Sequence, residues 1–369
     1  MTVTETVFGT GPAGEDIHRY EVANSHGYSM ACMDFGATLI SFQAPDRSGV
    51  ATEITLGYDD LSTYLAGHPY FGSTIGRVAN RIGGASFELD GRTYALEANE
   101  APNTLHSGTG GFHTRVWRGQ TFQSETAAGV LFSYLSSDGE QGFPGNLDVT
   151  VSMSLTEQNE LILEYRAETD APTPVNLTNH TYWNLAGAPD LVAADSDRAA
   201  AAARGAPAAG GQDGGAIGAH ILTIPGETRT VVDDASIPTG ELRAVADTPY
   251  DFLRPKPIGR DIADVPPGYD LSYVLGEADG KERVAAIVSE PVSGRRMEIV
   301  TTCPAVQFYS GCFLSGRAAR GGRQYRPSDA FCLETQFHPD AVNHANFPSI
   351  ILRPGTVYQH RTIHRFSIA

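Results

Sequence analysis

The sequence predicts an all-β chain, a large antiparallel β-sandwich. Short apolar runs recur along almost the whole 369 residues, each closed by turn residues. No long stretch keeps a sustained helical period. Glycine and proline are abundant, at 40 and 22 residues, as expected where many strands are joined by tight turns. Many short strands with turn punctuation argue a sandwich or barrel, and the absence of a fixed-period repeat argues against a propeller. No composition break divides the chain, so one domain over residues 1–369 is expected.

The strands follow in order. Residues 37–42 and 53–58 read as strands around the turn Pro45-Asp46-Arg47-Ser48-Gly49, and residues 59–66 as a helical turn. Residues 85–96 carry a two-residue hairpin at Asp90-Gly91, glycine supplying the positive φ. Val149, Val151, Met153 and Leu155 alternate with Thr150, Ser152 and Ser154, and residues 161–167 repeat the pattern after a turn at 156–160. Residues 188–219 break the series. They are rich in alanine and glycine and lack apolar bulk, so a flexible surface insertion is expected, with a short helix over 192–204 as the alternative. Strands resume at 221–224, and further ones are expected at 283–288, 296–301, 305–310, 330–337 and 357–366.

Composition limits function. The formal net charge is −17, from 43 acidic and 26 basic residues, which argues against nucleic acid or an anionic membrane as partner. Cys32, Cys303, Cys312 and Cys332 form no C-x-x-C pair and sit in apolar contexts, so they read as buried small hydrophobes. No basic region precedes an apolar run at the N-terminus, and no apolar segment is long enough to span a bilayer; cytoplasm is the expected compartment. The sequons at Asn176 and Asn179 are then chance matches. Phosphate loops, dinucleotide fingerprints, G-x-S-x-G elbows and H-E-x-x-H pairs are all missing from the sequence. His360 and His364 lie in a strand-like context without a third ligand, while His338 and His344 read as turn or surface groups.

One stretch organises the rest: residues 174–187, with His180 among hydroxyls, amides and aromatic rings. In an extended backbone His180, Tyr182 and Asn184 share one face, opposite Thr181, Trp183 and Leu185. Such a setting suits a polyhydroxylated ligand and a moving proton. Arg77 and Arg81 lie among small and apolar residues, where an arginine has a fixed partner. His106 stands between a turn asparagine and a glycine-rich loop. Asp270 opens an apolar strand, where a carboxylate is costly unless bonded, and Gln307 interrupts another. Glu334 shares a strand face with Cys332 and Gln336, against Phe331, Leu333 and Phe337 on the other. The alternative for Glu334 is a solvent-facing position on an edge strand.

These residues sit in motifs that resemble the aldose 1-epimerases, or galactose mutarotases. The matching stretches include residues 68–82, Pro-Asn-Thr-Leu-His (102–106), Gly-Phe-Pro-Gly-Asn-Leu (142–147) and Thr-Pro-Val-Asn-Leu-Thr-Asn-His-Thr-Tyr-Trp-Asn-Leu (173–185). Ile-Pro-Thr-Gly-Glu (237–241), Gly-Tyr-Asp (268–270), Gln-Phe-Tyr-Ser-Gly (307–311) and Glu-Thr-Gln-Phe-His-Pro-Asp-Ala-Val-Asn (334–343) follow in the family's order. The resemblance implies a large antiparallel β-sandwich and interconversion of the α and β anomers of free aldoses such as glucose and galactose, without cofactor or metal. By position it makes His180 the general acid, Glu334 the general base, and Asn80, Arg81, His106, Asp270 and Gln307 substrate-binding residues. A carboxylate such as Asp270 is expected to keep His180 protonated. Ser107 replaces a usual glycine and Leu271 a common histidine, departures that bear on sugar preference and access. The expected partner is a small aldose, bound by a monomer or homodimer. A hexose-6-phosphate 1-epimerase of the same fold would want a cluster of basic groups, which is not evident. A non-catalytic carbohydrate-binding protein need not keep both His180 and Glu334.

Overall fold

The computed structural model describes residues 1–187 and 215–369. Three antiparallel sheets dominate, and one large buried apolar cluster draws on all of them. The first is a five-stranded meander in chain order, Thr2–Thr10, Asp16–Ala23, Ser29–Met33, Thr38–Pro45 and Ala51–Glu53. The second has nine strands; its middle pairs Leu147–Thr156 with Glu160–Thr169, then Tyr358–Ile368, then Arg295–Thr301. The third has five, in the order Pro238–Ala244, Thr228–Val232, Asp270–Val274, Ala305–Tyr309 and Cys332–Gln336.

Local chemistry explains these elements. Leu147, Val149, Val151, Met153 and Leu155 are all fully buried, so the period-two pattern turns one face of that strand into the core. At the predicted hairpin Asp90 and Gly91 have φ of 51° and 77°, the pair of positive values a tight primed turn requires. Leu61–Leu65 is the single α-helix among the described residues, and the Asp60 carboxylate caps it by accepting the Thr63 N–H at 2.9 Å.

Some expectations need correction. The strand expected over 53–58 is the short Ala51–Glu53, after which Thr55 makes only an isolated bridge to Trp183. Residues beyond Thr178–Asn179 in the central motif leave regular pairing, although Trp183 bridges Phe331. His338 is buried, not a surface group: it is 2% exposed and packs its ring on Phe347 at 4.9 Å. The expected insertion at 188–219, with its alternative helix at 192–204, lies almost wholly outside the described residues; Gly215–Ile217 forms a short 3-10 turn at its end. The four cysteines are free and buried, as read. Among the described residues no helix is long and apolar enough to cross a membrane.

Candidate active site

The third sheet supplies the acidic wall of a cleft. Its register sets Asp270 opposite Tyr309 and Tyr309 opposite Cys332; Ser272 stands opposite Gln307 and Gln307 opposite Glu334. Directly paired residues share a face, so these six side chains point one way. Leu271, Phe308 and Leu333 point the other way, into the core. Glu334 does lie on the last strand of its sheet, yet it is only 2% exposed. The central motif covers that edge: Trp183 exchanges backbone hydrogen bonds with Phe331, and Asn176 holds Phe337 through its N–H at 2.9 Å.

The opposite wall comes from two left-handed turns locked side by side. Asn80 and His106 have φ of 64° and 51°. The His106 N–H donates to the Asn80 carbonyl at 3.0 Å, and the Asn80 N–H donates to His106 Nδ1 at 3.1 Å. That second bond occupies the one lone pair of neutral His106, so its Nε2 carries hydrogen and is a donor. His180 enters from the strand Thr178–Asn179, its N–H donating to the Ser73 carbonyl at 3.0 Å while its carbonyl accepts the Gly72 N–H at 2.9 Å.

Between these walls lies a cleft of about 680 Å³, lined among others by Tyr70, Asn80, Arg81, Glu100, His106, His180, Tyr182, Asp270, Tyr309 and Glu334. His180 Nε2 stands 3.7 Å from Glu334 Oε1, and both side chains are almost fully buried. Glu334 Oε2 and Gln307 Oε1 have no hydrogen-bond partner among the described residues. Arg81 grips Glu100 through two bonds, Nε at 2.6 Å and Nη2 at 2.9 Å, and its Nη1 lies 3.9 Å from Asp270. Gln307 is not itself a lining residue; it donates to Asp270 Oδ1 at 2.6 Å and so orients that carboxylate. The ring of Tyr182 lies nearly parallel to that of His180 at 5.0 Å, which places both on the expected face, whereas the Asn184 amide donates to the Asp329 carbonyl instead.

Burial governs the electrostatics. It lowers the His180 pKa to about 3. It raises that of Glu334 well above the usual carboxylate value, with the Asp270 charge adding to the rise and Arg81 opposing it. Burial likewise raises Asp270, against the pull of Arg81 and the Gln307 hydrogen bond. Thus Asp270 acts on Glu334, not as the group that keeps His180 protonated, and desolvation favours an uncharged imidazole beside a protonated carboxyl.

His106, His180 and Glu334 place ligand-type atoms within 4.8 Å of one another. As a metal site the trio is one donor short, because the Asn80 N–H already fills the lone pair of His106. Arg77 is not part of the cleft. Its buried guanidinium donates to the carbonyls of Ser136, Ser137, Pro144 and Gly145 and to the hydroxyls of Ser136 and Thr173, pinning the loop that carries residues 142–147. Ser107 and Leu271 also face away: the Ser107 hydroxyl accepts the Val78 N–H and donates to the Val78 carbonyl, and Leu271 is core. Sequence reasoning missed Tyr70 and Glu100. Glu100 lies in a polar loop with nothing to mark it until the fold brings it onto Arg81.

Comparison with known proteins finds relatives over nearly the whole chain. The family model described as Aldose 1-epimerase matches residues 18–205 and 208–365. Galactose mutarotase of Homo sapiens is 39% identical over 370 residues, covering 100% of this chain and 99% of that protein. The aldose 1-epimerase of Escherichia coli (strain K12) is 36% identical over 363 residues, 96% of each chain. Among solved structures, a GalM/aldose epimerase homologue from C. elegans, 29% identical, superposes with a TM-score of 0.81 over 95% of this chain and 98% of its own.

Proposed function

Because the chain belongs to the aldose 1-epimerase family, we propose that His180 and Glu334 are the proton-transferring pair of its reaction. The protein is an isomerase that interconverts the α and β anomers of free aldoses. One observation carries the residue assignment: the imidazole and the carboxyl meet at 3.7 Å in one cleft, with Glu334 Oε2 left without a partner among the described residues.

The reaction breaks the ring C1–O5 bond, turns C1 about C1–C2, and closes the ring on the other face. At rest the pair holds one proton, on Glu334. A sugar O1 hydroxyl donating to Oε2 favours the carboxylate, and the proton passes to His180 Nε2. Glu334 then takes the O1 proton as C1–O5 breaks, and His180 gives its proton to O5. The aldehyde stands beside a neutral imidazole and a protonated carboxyl. After rotation the same transfers run backwards, so acid and base are restored. Each positioned group supplies typically about 10²–10⁴-fold, enough for a reaction that already proceeds in water. Asn80, Arg81 and Asp270 bind the remaining hydroxyls, His106 donates from Nε2, and Gln307 serves through Asp270.

The same reading takes the chain as one cytoplasmic catalytic domain, a monomer or homodimer, needing no cofactor. The phosphate-bearing alternative gains nothing from Arg81, which is committed to Glu100. Polarimetry of freshly dissolved α-D-glucose and α-D-galactose tests the activity: the rotation relaxes faster with the protein than without it. A rate equal to that with heat-denatured protein would overturn the reading.

A further inference from the structure

A neutral imidazole carries its proton on one nitrogen, and the partner of the other nitrogen selects which. For His180 to take a proton from the Glu334 carboxyl, its Nε2 must present a lone pair, and the ring proton must sit on Nδ1. Among the described residues the partner at Nδ1 is the sulfur of Cys332, at 3.5 Å. The ring has little freedom to turn away. Tyr182 lies nearly parallel to it at 5.0 Å and 19°, and Tyr70 at 5.7 Å and 27°. Cys332 stands two positions before Glu334 on the strand Cys332–Gln336, so the pleat carries thiol and carboxyl to the same face. One strand therefore addresses both nitrogens of one histidine.

We propose that Cys332 is a positioning residue for the reaction: its sulfur accepts the His180 Nδ1–H and holds the imidazole in the tautomer whose Nε2 lone pair faces Glu334. The proposal rests on the assignment of His180 and Glu334 as the reacting pair. Burial, with the Glu334 and Asp270 carboxyls beside it, pushes the Cys332 thiol well above its usual pKa. The group is thus a neutral thiol, a weak acceptor that orients the ring without stabilising an imidazolium as a carboxylate would. The thiol adds direction, and the charge balance of the pair stays with Glu334.

Nitrogen-15 NMR of the histidine side chains in the unaltered protein reads the tautomer directly. The expected His180 pattern is a protonated Nδ1 and an unprotonated Nε2. Cys332→Ala then shifts His180 toward the other tautomer and lowers kcat by about five- to tenfold, the scale of one neutral hydrogen bond, with KM unchanged. Cys332→Ser restores an acceptor, the Nδ1–H form and most of kcat. An Nε2–H form in the unaltered protein overturns the proposal, and so does an alanine variant that keeps the Nδ1–H form, whatever its kcat. The tautomer is read without any sugar, so failure of the mutarotation reading and failure of this one are separate results.

Discussion

At the scale of single residues, the pair His180–Glu334 is one titrating unit holding one proton. Both shifts come mainly from burial: His180 falls to about 3, and Glu334 rises well above 4.5. A second proton therefore binds only in acid, near the lowered His180 value, and the shared proton leaves only above the ordinary carboxylate range. The kcat/KM profile should have its acid limb well below 6.5, toward the lowered His180 value. An acid limb at the ordinary histidine value would show that the cleft does not desolvate the ring. Glu334, Asp270 and Arg81 could be picked out from sequence because each is a charged group in a stretch otherwise apolar or small, where burial demands a partner, while His180 and His106 stood out in polar motifs, one among hydroxyls, amides and rings and one beside a glycine-rich loop. Glu100, Tyr70 and the role of Cys332 could not, since their meaning comes from contacts across 19 residues or more of chain.

At the scale of elements, the cleft depends on how irregular segments are tied to strands. Gly72 is the tightest of these ties. Its φ is +64°, its N–H donates to the His180 carbonyl, and its carbonyl accepts the Leu39 N–H at 2.8 Å and the Asn179 amide at 2.7 Å. A Cβ there would lie 1.8 Å from the Leu39 carbonyl oxygen, backbone that cannot step aside. Gly72→Ala should destabilise the fold by about 3 kcal/mol or more and lower kcat in whatever folds, because His180 shifts with it; denaturant unfolding and polarimetry check both. An unchanged unfolding midpoint would contradict this account of the turn. Strands with clean alternation were readable from sequence, as at 149–155, since one face meets one core. The stretch 180–184 kept the expected facing of His180 and Tyr182 but not regular pairing, because its hydrogen bonds go to Ser73, Ile54 and Phe331, partners far away in the chain.

At the scale of the whole molecule, eight of the 11 histidines have pKa values lowered mainly by desolvation: His106, His113, His180, His220, His338 and His364, which are buried, and His68 and His360, which are half-buried. The sign follows from linkage. Each is neutral when folded and protonates near 6.5 when unfolded, so its contribution is whole above 6.5 and is lost as pH falls toward the folded value. At pH 5 a residue of this kind forfeits about 2 kcal/mol. Four carboxyls with raised values, Asp34, Asp270, Glu334 and Asp340, work the other way, gaining stability as pH falls. The histidines are twice as many, eight against four. The Tm should therefore drop steeply between pH 7 and pH 5, although the net charge of −17 shrinks toward zero over that range. A Tm that rises toward pH 5 in calorimetry would mean that charge repulsion outweighs the buried rings.

The central claim is that one imidazole and one carboxyl exchange protons across C1 of a bound aldose. Glu334→Gln keeps the shape of the side chain and removes its acid–base function. At equilibrium, magnetisation exchange between the two anomeric protons of galactose reads the catalysed rate, and titration of the same sample reads binding. The account predicts loss of at least about 10²-fold in exchange rate with affinity close to that of the unaltered protein. Exchange at a near-normal rate in that variant would contradict it.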